Sequence, residues 1–145
     1  MRSLRVKCSK KPLLTVVRSS QWNPRLVYIL VANKTHKYKS GRRSRIIYIG
    51  TTGKGAQRPA TSAVNKASEA FSLRGIKQIE VHLATCAGRK HIRTWQRLES
   101  ALLATFRSLH FELPRYNKKK GADHYVEDVT LFRGKALQKL ILQFA

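Results

Sequence analysis

Acidic side chains are scarce in this chain: seven Asp and Glu stand against thirty Lys and Arg in 145 residues. The net charge of +23 repels itself unless a polyanion is near, so nucleic acid is the expected partner and an anionic membrane surface the weaker alternative. Cysteine is nearly absent too. Cys8 and Cys86 have no metal-ligand spacing to a histidine and read as ordinary reduced thiols, one in a basic arm and one near a strand end, so no zinc site is expected. No apolar run reaches the length of a membrane span, and the basic stretch Met1 to Pro12 lacks the apolar core of a secretion signal. These absences lead us to expect a cytoplasmic or nucleoid-associated protein, not secreted and not membrane-bound. Internal repeats and low-complexity linkers are also lacking. The turn Thr51-Thr52-Gly53-Lys54-Gly55 superficially suggests a phosphate loop, but the G-x-x-x-x-G-K-[ST] spacing is missing.

What the chain does contain is enough apolar residue, 42%, for the core of one domain. Two short runs, Leu26 to Val31 and Ile46 to Gly50, are β-branched or aromatic, carry one tyrosine each (Tyr28 and Tyr48), and are bounded by turn-formers. They read as strands. Neither alternates strictly, so both faces of their sheet are expected to be covered. Between them, Lys34, Lys37, Lys39, Arg42, Arg43 and Arg45 make a basic connector. It reads either as a solvated hairpin loop or, the reading we favour, as a surface for phosphate or groove contact. Leu13 to Val17 is a candidate edge strand.

Pro59 suits the first turn of a helix. Ala60, Ala63, Val64, Ala67 and Phe71 continue it, with Gly75 as the stop and Arg58 at its start. Ile76 to Thr85 alternates as a third strand, with Ile79, Val81 and Leu83 on one face and Glu80 and His82 on the other. From Arg93 to Leu109 a second helix carries Trp95, Leu98, Leu102, Leu103, Phe106 and Leu109 on one face, and Glu99 falls inside that stripe. A carboxylate on the core face of a helix needs a cationic partner, a proton or a metal. The pattern alone weighs a salt bridge to a core-facing arginine evenly against a functional role. Pro114 and Asn117 turn the chain into Lys118-Lys119-Lys120, His124 to Phe132 is a strand or irregular, and Gly134 to Phe144 reads as a closing helix.

In this order, Tyr28, Tyr48-Ile49-Gly50, Arg58, Glu99 and Asn117 make the chain similar to the GIY-YIG nuclease domain family. A Y-I-G tripeptide alone is weak. Two tyrosine strands, an arginine at a helix start, a helical glutamate in an apolar stripe and an asparagine, all in sequence, make a specific series. The resemblance covers Leu26 to Lys120. It departs from the family in three places: the first motif, Leu26-Val27-Tyr28, lacks its glycine; the tyrosines are further apart than in compact members; and Ser62 stands where members often place a histidine.

The fold implied is α+β, a small three-stranded, mostly antiparallel sheet flanked by helices. It would occupy residues 25–120, after a basic arm at 1–24 and before an extension at 121–145 whose helix packs on the same domain. The activity implied is metal-dependent endonuclease cleavage of phosphodiesters, by a stand-alone enzyme of phage, mobile-element or restriction kind. Glu99 would hold one Mg²⁺ or Mn²⁺, a hard cation that keeps several waters and also binds the substrate phosphate. Arg58 would hold the phosphate and offset developing charge. Tyr28 is implied as general base, although a free phenol with a pKa of about 10 needs positive charge nearby to serve at neutral pH. Tyr48 would position water or phosphate, and Asn117 would fix the local geometry. Lys54 or Lys66 would stand in electrostatically for the missing histidine. The nucleic acid would lie on Lys34, Lys37, Lys39, Arg42, Arg43, Arg45, Lys54, Lys66, Lys118, Lys119 and Lys120. DNA is the expected substrate, with RNA left open, and a homodimer is expected if both strands are cut. The alternative is a non-catalytic basic nucleic-acid-binding protein, either a degenerate nuclease domain or a ribosome-associated structural protein.

Overall fold

The computed structural model describes residues 5–13, 15, 17, 23–118 and 131–145. Both tyrosine runs are strands, and both extend into the basic connector: β1 is Leu26–Lys37 and β2 is Arg43–Thr52. They form one antiparallel hairpin whose turn is only Tyr38 to Arg42, closed by a Tyr38 N–H to Arg42 carbonyl bond and by Gly41 in the left-handed region at φ 84°. The connector is thus mostly strand. Helix α1 (Gln57–Ala70) follows, then β3 (Ile79–Ala84), α2 (Thr94–His110) and α3 (Gly134–Leu142).

The sheet has the order β2-β1-β3 and is antiparallel throughout. The architecture is the α+β arrangement expected from the sequence. β1 is central and its first seven residues are all buried, as a strand covered on both faces must be. On one face, Val27, Ile29 and Ile49 pack against Leu98, Leu102 and Phe106 of α2 and Leu137 and Ile141 of α3. On the other, Leu30, Ala32 and Ile47 pack against Ala70 of α1 and Ile76. Each fully buried side chain of this size contributes about 1.5–3 kcal/mol. A register shift between Leu30 and Val31 of β1, opposite Tyr48 and Ile46, leaves Ile47 unpaired, so that Tyr48 and Ile47 both face α1.

β3 alternates as expected, but its apolar face is incompletely covered. Val81 and Leu83, on an edge strand, remain 38% and 42% exposed. The half-buried His82 instead lies against Phe144, 4.8 Å between ring centroids. The edge strand expected over Leu13 to Val17 is a correction: the described residues Leu13, Thr15 and Val17 are irregular and exposed, and among the described residues the sheet has three strands. The reading of His124 to Phe132 falls, up to Thr130, outside the described residues. Cys8 is exposed, Cys86 lies just past β3, and both are free thiols. Among the described residues no helix is long and apolar enough to cross a membrane.

Candidate active site

The fold brings four of the expected residues to one end of the sheet. Tyr28 enters from β1 and Tyr48 from β2, with ring centroids 6.0 Å apart. Gly50 lies opposite Tyr28 in the ladder. A Cβ on Gly50 would fall 2.5 Å from Tyr28 Cζ and 2.7 Å from Tyr48 Cε1, so the two rings occupy the space that any other residue would fill. The glycine of the Tyr-Ile-Gly tripeptide is therefore a packing requirement of the tyrosine pair.

Helix α1 runs over these rings. Ser62 Oγ and the buried Tyr28 Oη share a 2.9 Å hydrogen bond. One turn further on, Lys66 Nζ lies 5.8 Å from the ring centroids of both Tyr48 and Tyr116. Arg58, in the first turn of α1, is exposed and close enough to act electrostatically on both Tyr48 and Glu99.

Glu99 reaches the same place from α2. It is half-buried and makes no hydrogen bond or ion pair to any described residue. Burial pushes its carboxyl from an ordinary 4.5 up to about 7, with Arg58 pulling the other way. Among the described residues, the salt bridge that could have explained a glutamate in the apolar stripe is not formed. Burial also pushes the Tyr48 hydroxyl up to about 12, reinforced by Tyr28 and Glu99 beside it and opposed by Arg58. Tyr48 is thus a proton donor at neutral pH.

Asn117 does not join this group directly. Its side-chain amide donates to the Ile49 carbonyl at 2.8 Å, and its side-chain oxygen accepts from the Ile49 N–H at 3.0 Å. Tyr116 N–H donates to the Ile47 carbonyl. Asn117 thereby completes the outer edge of β2 between the two residues that define the site, Tyr48 and Gly50, and fixes their strand. Such a bidentate side chain satisfies an edge strand's backbone without adding another strand.

The basic residues divide into two groups. Lys54, Lys66 and Lys118 lie at the tyrosine end, whereas Lys119 and Lys120 are outside the described residues. The connector residues run to the far end. From Tyr28 to the hairpin turn at Tyr38 the strand spans about 30 Å. There the turn is anchored to the end of α2: Ser40 N–H donates to the His110 carbonyl, Lys39 N–H to Glu112 Oε1, and buried Tyr38 packs edge-on against Phe106. Arg43 is held by Thr35 at 2.8 Å, and Arg45 lies over Phe144. The structure therefore separates the connector from the tyrosine site, where the sequence left their relation open.

Beside the site, between the starts of α1 and α2, is a cleft of about 530 Å³. Lys54, Arg58 and Arg93 line it, together with Trp95. Its loop is fixed by Gly55, at φ 78°, whose N–H donates to the Pro24 carbonyl. Sequence reasoning placed Trp95 in the core stripe and passed over Arg93. Their position at the start of the helix, with Trp95 one turn ahead of Glu99, was the available signal.

The residues present suit a single hard cation. Among the described residues no group of three His, Cys, Asp or Glu could form a closed metal site. A half-buried carboxylate without a hydrogen-bonding partner, beside an arginine that could hold phosphate, matches a Mg²⁺ ion held by one carboxylate, water and substrate oxygen. Compared with protein-family models, with curated proteins and with solved structures, the chain matches none.

Proposed function

We propose that the protein is a divalent-metal-dependent endonuclease that hydrolyses phosphodiester bonds, with the site of a GIY-YIG nuclease. One observation carries this reading. Four residues from separate elements, Tyr28, Tyr48, Arg58 and Glu99, converge at one end of the sheet, and among the described residues no counter-charge is bonded to Glu99.

The roles follow from the surroundings. Exposed Arg58 takes the substrate phosphate and stabilises charge as it develops. Glu99 holds the cation, which when bound supplies Lewis acidity at the phosphate and stabilises the departing 3′ oxygen. Tyr48, protonated at neutral pH, donates a hydrogen bond to the phosphate or to the attacking water. Tyr28 would act as the base in its ionised form, taking the proton of the attacking water while its oxygen also accepts a hydrogen bond from Ser62. Lys66, 5.8 Å from the Tyr48 ring, adds positive charge beside the tyrosine pair.

The test is cleavage of supercoiled plasmid with Mg²⁺ and with chelator, beside Glu99→Gln. Metal-dependent nicking or linearisation by the native protein, lost by orders of magnitude in the variant while DNA binding persists, is the expected result. Tight, salt-sensitive binding with no cleavage of plasmid, branched DNA or RNA would return the non-catalytic binder.

A further inference from the structure

The cleft beside the tyrosine site has a composition of its own. Among the described residues, three cations and no carboxylate line it, so it selects for anions. Trp95 is half-buried, held by the Arg25 guanidinium 4.9 Å from its ring centroid. The edge of its indole borders Gly53, where even a Cβ would lie 3.8 Å from the ring. Glycine at 53 keeps that edge of the indole free of a side chain where both residues line the cleft. Gln57 and Gln96 add amides that both donate and accept, and Thr61, whose hydroxyl donates to the Gln57 carbonyl, adds an acceptor, as the edge of a nucleobase requires. Trp95 stands four residues before Glu99 on α2, one turn or about 5.4 Å along the helix. An occupant stacked on the indole is therefore an immediate neighbour of the phosphate held by Arg58, which belongs to both places.

We propose that this cleft receives an unpaired nucleobase, stacked on Trp95 next to the scissile phosphate. The substrate class is then nucleic acid with a single-stranded or extrahelical nucleotide at the cut. A base inside a continuous duplex is stacked on both faces and cannot enter a concave site, whereas an unpaired base offers its ring to an aromatic residue. The inference rests on the nuclease reading for what happens at the phosphate, but base capture does not require cleavage.

The test exploits Trp22, the chain's other tryptophan. In Trp22→Phe protein, with chelator present so that nothing is cut, Trp95 emission is followed on titration with two DNAs of equal length and charge. One is fully paired and the other carries an extrahelical nucleotide. Strong quenching by the second and little by the first is expected. Trp95→Ala is expected to weaken binding of the second DNA by roughly tenfold, with paired DNA unaffected and Trp95→Phe largely restoring the preference. Should Trp95→Ala fail to fold, Gln57→Ala with Gln96→Ala, both exposed positions, is expected to lower affinity for the unpaired DNA alone. Equal quenching by both DNAs, or no quenching by either, would overturn the proposal. Base capture without plasmid or flap cleavage would leave it standing and remove the nuclease reading; cleavage of duplex with no preference for the unpaired base would do the reverse.

Discussion

At the scale of single residues, two positions decide whether the site exists. Gly50 is the first, because its Cβ would enter the space of both tyrosine rings. Gly50→Ala must push Tyr28 away from Ser62 or bend β2. Overpacking of this kind costs about 1–3 kcal/mol, and chemical denaturation should show a loss in that range, accompanied by a steep fall in cleavage. Glu99 is the second. Its folded-state value of about 7 lies above an ordinary 4.5. Between those values the folded protein binds more protons than the unfolded chain, so stability falls as pH rises through the window and the penalty is complete above it. The penalty is at most on the order of 3 kcal/mol. Glu99→Gln removes it. In metal-free thermal melts the variant should exceed the native protein at pH 8, and most of that advantage should vanish at pH 5. An equal difference at both values would show that the carboxyl is not held up by burial.

At the scale of elements, the β1–β2 hairpin links two surfaces about 30 Å apart. The tyrosines sit at one end and Lys37, Lys39 and Arg42 are exposed at or near the turn at the other. These three cations lie far from the site, so on the proposed nuclease reading they would contribute to binding and not to the chemical step. Replacing all three by glutamine should reduce the slope of log K against log salt by up to about 2.7 on duplex DNA, while the cleavage rate at saturating DNA stays unchanged. A fall in that rate would mean that the far end of the hairpin controls the site. Asn117 works at this scale as well. It holds the Ile49 backbone from both sides, so the segment after α2 sets the position of the strand that carries Tyr48.

At the scale of the whole molecule, a charge of +23 on 145 residues opposes compaction. Salt screens that repulsion, and a polyanion bound to the folded state alone stabilises it further. The melting temperature should therefore rise from low to moderate NaCl, and rise again with heparin at constant salt; a flat response to both would mean that local pairing already neutralises the charge. Much of this molecule was legible in its sequence. β-branched runs around Tyr28 and Tyr48, the spacing of Ala60 to Phe71 and the stripe from Trp95 to Leu109 determine two strands and two helices, because each period of apolar residues has one way to bury itself. Glu99 stood out for the same reason, as the carboxylate that breaks its stripe. Other features were invisible there, since they are distances between chain segments remote in sequence. That Ser62 meets Tyr28, that Gly50 lies beneath two rings, that Asn117 completes β2 and that Trp95 opens onto a cleft instead of the core all depend on which elements the sheet order and α1 bring together. The sequence by itself determined the elements, the basic charge and the residue types of the candidate site; only the tertiary structure decided their neighbours, because a local pattern specifies which face is buried but not what buries it.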